Sequence, residues 1–108
     1  MTIVSYILLQ STTDSLSIAK NLSKKLVDKK LSPCVHIIHS PNTYYKWEGE
    51  TISTKEYIIL IKTNNLNKEK IISLLNKEHN YNNPEILSRS FTIESKDYIK
   101  WFDKELNE

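Results

Sequence analysis

Glycine is nearly absent from this 108-residue chain, with Gly49 the single example. Phosphate-cradling loops of the GxxxxGK[ST] or GxGxxG type need several glycines for tight turns and close backbone approach, so the common nucleotide-binding motifs are excluded. Cysteine is as scarce. Cys34 alone can form no intrachain disulfide and no CxxC zinc module, and a reducing compartment is the simpler expectation. Arg89 is the only arginine. The longest purely aliphatic run, Ile58-Ile59-Leu60-Ile61, falls far short of the ~20 residues of a membrane-spanning helix. The first lysine is Lys20, so the amino terminus lacks the basic start of a signal peptide. These absences lead to the expectation of a soluble, cytoplasmic protein without a membrane partner.

A packed core is well supplied. Hydrophobic residues make up 39% of the chain, with two Trp, six Tyr and two Phe, a composition that argues against disorder. The net charge of +2 is too mild for a nucleic-acid partner, where a clustered basic face is expected. The doublets Lys24-Lys25 and Lys29-Lys30 read as a solvated helix face. The length fits one domain over residues 1–108. At this size folding buries roughly 60–70% of the surface exposed by the unfolded chain, so a shared subunit interface would add useful stability.

Periodicity orders the elements. Ile3 to Leu9 reads as a strand covered on both faces or nearly so. After polar Gln10 to Ser15, a helix capped by Asp14 or a neighbouring Thr carries Ile18, Ala19, Leu22, Leu26 and Val27 at i, i+3, i+4 spacing. Pro33 is expected to stop it. A strand from Cys34 to His39, a turn at Pro41-Asn42 and two extended runs around Glu48-Gly49-Glu50 follow, the last pair reading as an antiparallel hairpin. A second helix spans Leu66 to Lys77, with Asn67 as its cap and Ile71, Ile72, Leu74 and Leu75 on its buried side. Asn80 to Pro84 reads as a loop, Ile86 to Ile93 as the last strand, and a terminal helix after Ser95 buries Tyr98, Ile99, Phe102 and Leu106. The predicted fold class is α+β, a ferredoxin-like sandwich of βαββαβ order plus a C-terminal helix, with a four-stranded antiparallel sheet.

That scaffold hosts unrelated functions, so function has to come from residues. RNA-binding domains of this topology stack bases on aromatic side chains of their central strands, whereas Lys55-Glu56-Tyr57-Ile58-Ile59-Leu60-Ile61-Lys62 here is aliphatic. Acylphosphatases hold a phosphoryl group with an arginine after the first strand, and Arg89 lies late in the chain. No GxSxG elbow marks a hydrolase. Cys34 and His36, one residue apart on a predicted strand, leave the same face and can reach a common ion, while His39 points the other way. Thiolate and imidazole together suit copper or zinc. Two ligands are too few for a tight site, and a small core residue beside a surface histidine is the plainer reading.

Four segments are recognisable together: Leu31-Ser32-Pro33-Cys34-Val35, Tyr45-Lys46-Trp47-Glu48-Gly49, Glu56-Tyr57-Ile58-Ile59-Leu60-Ile61-Lys62-Thr63, and His79-Asn80-Tyr81-Asn82-Asn83-Pro84-Glu85. In order and spacing the chain resembles the CutA family of divalent-cation tolerance proteins, from about Val4 to Leu106, and Tyr98-Ile99-Lys100-Trp101 fits that family's terminal helix. The resemblance implies a tight homotrimer whose long hairpins reach across to neighbours. It also implies a non-catalytic role in tolerance to divalent metals, copper above all, with no tightly bound cofactor. CutA proteins look architecturally like PII-type signalling trimers, so a small-ligand or signalling role acting through intersubunit clefts is the alternative.

Carried over residue by residue, Tyr45, Trp47, Glu56, Lys62, His79, Tyr81, Glu85 and Trp101 match the family's characteristic polar and aromatic positions, and Cys34 matches its cysteine after the first helix. Gln10 and Leu74 stand where some bacterial relatives have cysteines, so one chain cannot build a multi-cysteine copper site. The candidate metal ligands are therefore Cys34, His36, His79 and Glu85. The candidate ligand-binding residues are Tyr45, Trp47, Glu56, Lys62, Tyr81 and Trp101. Glu56 and Lys62 share a strand face and either serve a ligand or satisfy buried charge by pairing. His79 and Glu85 bracket a loop that proline would rigidify, placing the two side chains close together. In a threefold assembly, any one of these ligands is present in several copies.

Overall fold

A computed structural model describes residues 3–106; residues 1, 2, 107 and 108 of the expected domain lie outside the described range. The elements run β1 (Tyr6–Thr13), α1 (Leu16–Asp28), β2 (Cys34–Trp47), β3 (Glu50–Asn64), α2 (Lys68–Glu78), β4 (Leu87–Phe91) and α3 (Lys96–Leu106). The α+β expectation holds at this level: four strands form one sheet in the order β2-β3-β1-β4, every neighbouring pair antiparallel.

Burial alternates along β1, with Ile7, Leu9, Ser11 and Thr13 on the covered face. Ile7 and Leu9 meet Ile59 and Ile61 of β3, Ala19, Leu22 and Leu26 of α1, and Ile71 and Leu75 of α2 in one apolar core. Each fully buried Leu or Ile there contributes about 1.5–3 kcal/mol from removal of its surface from water. The strand sits further along than the Ile3–Leu9 run predicts. Gln10 to Thr13 are polar, yet they pair with Leu60 to Tyr57 of β3, and the pairing outweighs the loop-like composition.

The opposite sheet face is only partly covered. Tyr6, Phe91 and Phe102 pack edge-on or stacked, with centroid distances of 5.4–6.3 Å, and Tyr6 Oη donates to Asp103 Oδ1 at 2.9 Å. These contacts fasten α3 over one end of that face. Leu8, Leu60 and Ile58 remain half-buried, and Ile38 and Leu87 are exposed. Cross-strand partners share a face, so these five residues form one continuous surface.

Several expectations are corrected by local chemistry. Ser15, rather than Asp14 or a Thr, caps α1: its hydroxyl accepts from the Ile18 N–H at 3.2 Å. Val27, expected in the apolar stripe, is 42% exposed. The helix ends at Asp28, well before Pro33. Lys30 adopts φ 61°, its N–H donates to the Val27 carbonyl, and the Leu31 N–H donates to the Leu26 carbonyl. Together they form a Schellman stop, with lysine in the place glycine usually takes. Asn67 makes no side-chain cap bond to α2; the buried Asn64 Oδ1 accepts from the Leu66 and Asn67 N–H groups instead.

Pro41-Asn42 is no turn. β2 runs through it, and the register shift between Ser40↔Glu56 and Thr43↔Thr54 inserts one extra residue, a β-bulge. Proline is tolerated because β2 is an edge strand and a bulge needs no ladder N–H there. The strand reversal is at Glu48-Gly49, where φ values of 50° and 82° give a two-residue turn with both central residues left-handed. Beyond Tyr57, the last residue of β3 paired with β1, the hairpin continues as a two-stranded ribbon, and the molecule measures 48 × 26 × 24 Å.

Candidate functional sites

Cys34 opens β2. Ser32, fully buried, sets that start: its Oγ accepts from the Cys34 N–H at 3.3 Å and lies 2.6 Å from the Lys62 carbonyl oxygen. The strand period then brings Cys34 Sγ to 3.7 Å from His36 Nε2, on the sheet face that α3 covers only in part. His39 lies on the other face and stacks on Tyr57 at 5.2 Å.

The loop after α2 is built by its own polar side chains. His79 Nε2 lies 2.9 Å from the Thr12 carbonyl oxygen, which fixes the proton on Nε2, and Nδ1 accepts from the Tyr81 N–H at 3.0 Å. Thr13 Oγ1 donates to Asn80 Oδ1, and Asn80 Nδ2 donates to Asp14 Oδ1. These bonds aim Tyr81 at β3, where its Oη donates to Glu56 Oε2 at 2.8 Å. Glu56 is 7% exposed. Burial first, then the hydrogen bond and the negative charge of Glu56, push the Tyr81 phenol well above its ordinary range, so it stays a donor.

The expected pairing of His79 with Glu85 is not formed: Glu85 Oε2 accepts from Gln10 Nε2 at 3.0 Å, and both His79 nitrogens are engaged elsewhere. With no free lone pair, His79 in this arrangement is a loop staple rather than a metal ligand. Among the described residues no three His, Cys, Asp or Glu side chains converge as an ion site. Cys34 with His36 is therefore the part of the candidate set that one chain assembles.

Glu56 and Lys62 do share a face, but they sit about 20 Å apart along β3 and do not pair with each other. Lys62 Nζ lies 3.4 Å from Tyr98 Oη and 5.5 Å from that ring's centroid, and Tyr98 leans on Trp101 at 5.3 Å. Tyr45 and Trp47 lie near the tip of the ribbon, 41% and 60% exposed and remote from the other candidates. Sequence reading placed Tyr98 only in the core and gave Gln10 no role. The signal for Tyr98 was available, since it precedes Trp101 by three residues and so shares a helix face with it.

The fold and these sites define a class: a small α+β chain whose antiparallel sheet packs α1 and α2 on one face and leaves the other, with its apolar, polar and aromatic side chains, only partly covered by α3. Residues 7–105 match the family model of the CutA1 divalent ion tolerance protein, and the chain belongs to that family. It is similar to the divalent-cation tolerance protein CutA of Thermus thermophilus, 29% identical over 90 residues that cover 83% of this chain and 87% of the relative. The chloroplastic protein CutA of Arabidopsis thaliana is 33% identical over 82 residues, 76% of this chain and 45% of the plant protein. The crystal structure of CutA from Xylella fastidiosa aligns with a TM-score of 0.88 at 29% identity, covering 95% of this chain and 99% of that one.

Proposed function

We propose that this chain, a single ferredoxin-like domain, acts as a homotrimer in tolerance to divalent metal ions, binding copper or zinc weakly and without catalytic turnover. The names of its relatives support the metal-tolerance role. The strand order supports the sandwich topology. Assembly is supported by the apolar surface of Leu8, Ile38, Ile58, Leu60 and Leu87, and by the ribbon, because an isolated two-stranded hairpin is marginal in water. A cytoplasmic setting fits a single unpaired cysteine.

The observation that carries the metal reading is the 3.7 Å approach of Cys34 Sγ to His36 Nε2. A soft thiolate and an imidazole favour copper or zinc over magnesium or calcium, and two donors alone bind weakly. A threefold assembly multiplies the pair. Copper titration followed by native mass measurement is the test, with Cys34→Ala and His36→Ala alongside wild type. The reading expects a trimer whose copper stoichiometry falls in both variants. Unchanged affinity and stoichiometry would refute it.

A second reading, a trimeric regulator holding a small ligand in intersubunit clefts, is supported by the Glu56–Tyr81 pair and by the exposed rings of Tyr45, Trp47 and Trp101. Calorimetry with metals and metabolites separates the two readings.

A further inference from the structure

Glu56 is the one buried carboxylate among the described residues, yet its only hydrogen-bond partner among them is the Tyr81 phenol. The ion pairs found among those residues, Lys24–Asp28 and Lys25–Glu78, do not involve it. An ionised carboxylate has about four acceptor positions, and one neutral donor leaves most of its desolvation uncompensated. Lys62, half-buried on the same sheet face, is in the converse position: its neighbour is the neutral Tyr98. Arg89, on that face through its pairing with Leu8, forms no ion pair among the described residues.

We infer that Glu56 and Tyr81 form an acceptor site for an ammonium or guanidinium group arriving from outside the chain. The carboxylate supplies the charge-assisted acceptor, and Tyr81, its ring tilted against His79 at 5.0 Å, fixes the carboxylate's position through its hydroxyl. A divalent metal fits less well, because Tyr81 remains a protonated donor and no third ligand is near. This inference deepens the ligand-cleft reading above and rests on it.

One chemistry has two sources: the Lys62 or Arg89 side chain of a second copy, or a free small amine. Two measurements distinguish them, dilution series by sedimentation and calorimetric titration with methylguanidinium or n-butylammonium chloride, on wild type, E56Q, K62M and R89Q. If a second copy supplies the cation, E56Q raises the assembly's dissociation constant about tenfold or more, and K62M or R89Q does the same without adding to E56Q in the double variant. If the cation is free, wild type binds a probe amine, the affinity falls about tenfold or more in E56Q, and K62M retains it. Assembly and amine titrations of E56Q that both match wild type overturn the inference.

Y81F provides a variant in which the carboxylate is kept. A folded Y81F that holds cation binding supports the site, and one that abolishes it shows the pair to be structural and overturns the inference. A monomeric wild type removes the intersubunit-cleft reading and with it the second-copy source, and the amine titration then tests the free-amine source on its own.

Discussion

Tyr81 donates its phenolic proton to Glu56 across 25 residues of sequence, tying the loop after α2 to β3, the second strand of the hairpin, at 2.8 Å. Neither residue is held there by its own element alone. His79 and Asn80 first fasten the loop to the end of β1, and Tyr81 then reaches the one strand position where a buried carboxylate waits.

Replacing Tyr81 by Phe removes that donor and leaves Glu56 without its only partner among the described residues. The expected cost is about 1.5–3 kcal/mol, the usual range for a hydrogen bond to a charged group. Urea unfolding of Tyr81→Phe against wild type measures it. A midpoint unchanged within error would mean the loop is held without the phenol.

The same bond sets a pH dependence. The folded Tyr81 phenol holds its proton more tightly than it does in the unfolded chain, and Tyr6, desolvated and bonded to Asp103, shifts in the same direction. Above the ordinary tyrosine value of about 10, the unfolded chain therefore binds fewer protons than the folded one. Stability is full below that pH and falls as the solution becomes more alkaline. In Tyr81→Phe the alkaline decline is shallower, as read from melting temperature across the alkaline range. Equal slopes in both proteins would contradict the assignment.

Ser11 is fully buried on the core face of β1, and its hydroxyl has no hydrogen-bond partner among the described residues. An unsatisfied hydroxyl among Leu and Ile side chains retains its desolvation cost. Ser11→Ala is expected to stabilise the fold by about 1 kcal/mol. Leu9→Ala, two residues earlier on the same face, should cost about 2–5 kcal/mol by leaving a cavity. Chemical unfolding of the two variants reads both signs. A destabilised Ser11→Ala would indicate that the hydroxyl is satisfied in solution.

Lys30 terminates α1 with a left-handed backbone that costs an L-residue roughly 1–2 kcal/mol. Lys30→Gly keeps both Schellman hydrogen bonds and removes the side-chain penalty. The loss of backbone freedom on folding glycine offsets part of the gain. An increase in stability of about 0.5–1 kcal/mol is expected in the same unfolding assay, and a decrease would show that the lysine side chain makes a compensating contact.

Legibility divided along physical lines. The stripe Ala19, Leu22 and Leu26 is a periodic signal and is buried, and the aliphatic run Ile58 to Ile61, read as extended, lies in β3 with Ile59 and Ile61 buried. The Cys34–His36 approach was legible because residues two apart on a strand share a face. Polar Gln10 to Thr13 misled because strand pairing with β3 is a tertiary fact. Pro41 misled because an edge strand tolerates what a central strand would reject. The engagement of both His79 nitrogens could not be read from spacing, since the Thr12 carbonyl lies 67 residues away. Glu56 and Lys62 show the limit of parity: it places residues on one face without saying that 20 Å or so separates them.

The hairpin tip offers a last test, joining local backbone cost to assembly. Gly49 has φ 82°, and a Cβ built there meets nothing within 4 Å in the single chain. Gly49→Ala should therefore cost only the left-handed backbone term, roughly 1–2 kcal/mol, with no steric addition. That holds if the ribbon end stays free. If a second copy covers the ribbon near Trp47 and Gly49, the added methyl meets the neighbour and assembly weakens as well. Unfolding measured at low protein concentration, beside a dilution series of the same variant, separates the two contributions. A loss confined to unfolding places the turn in solvent, whereas a dissociation constant raised about tenfold or more places it in the interface.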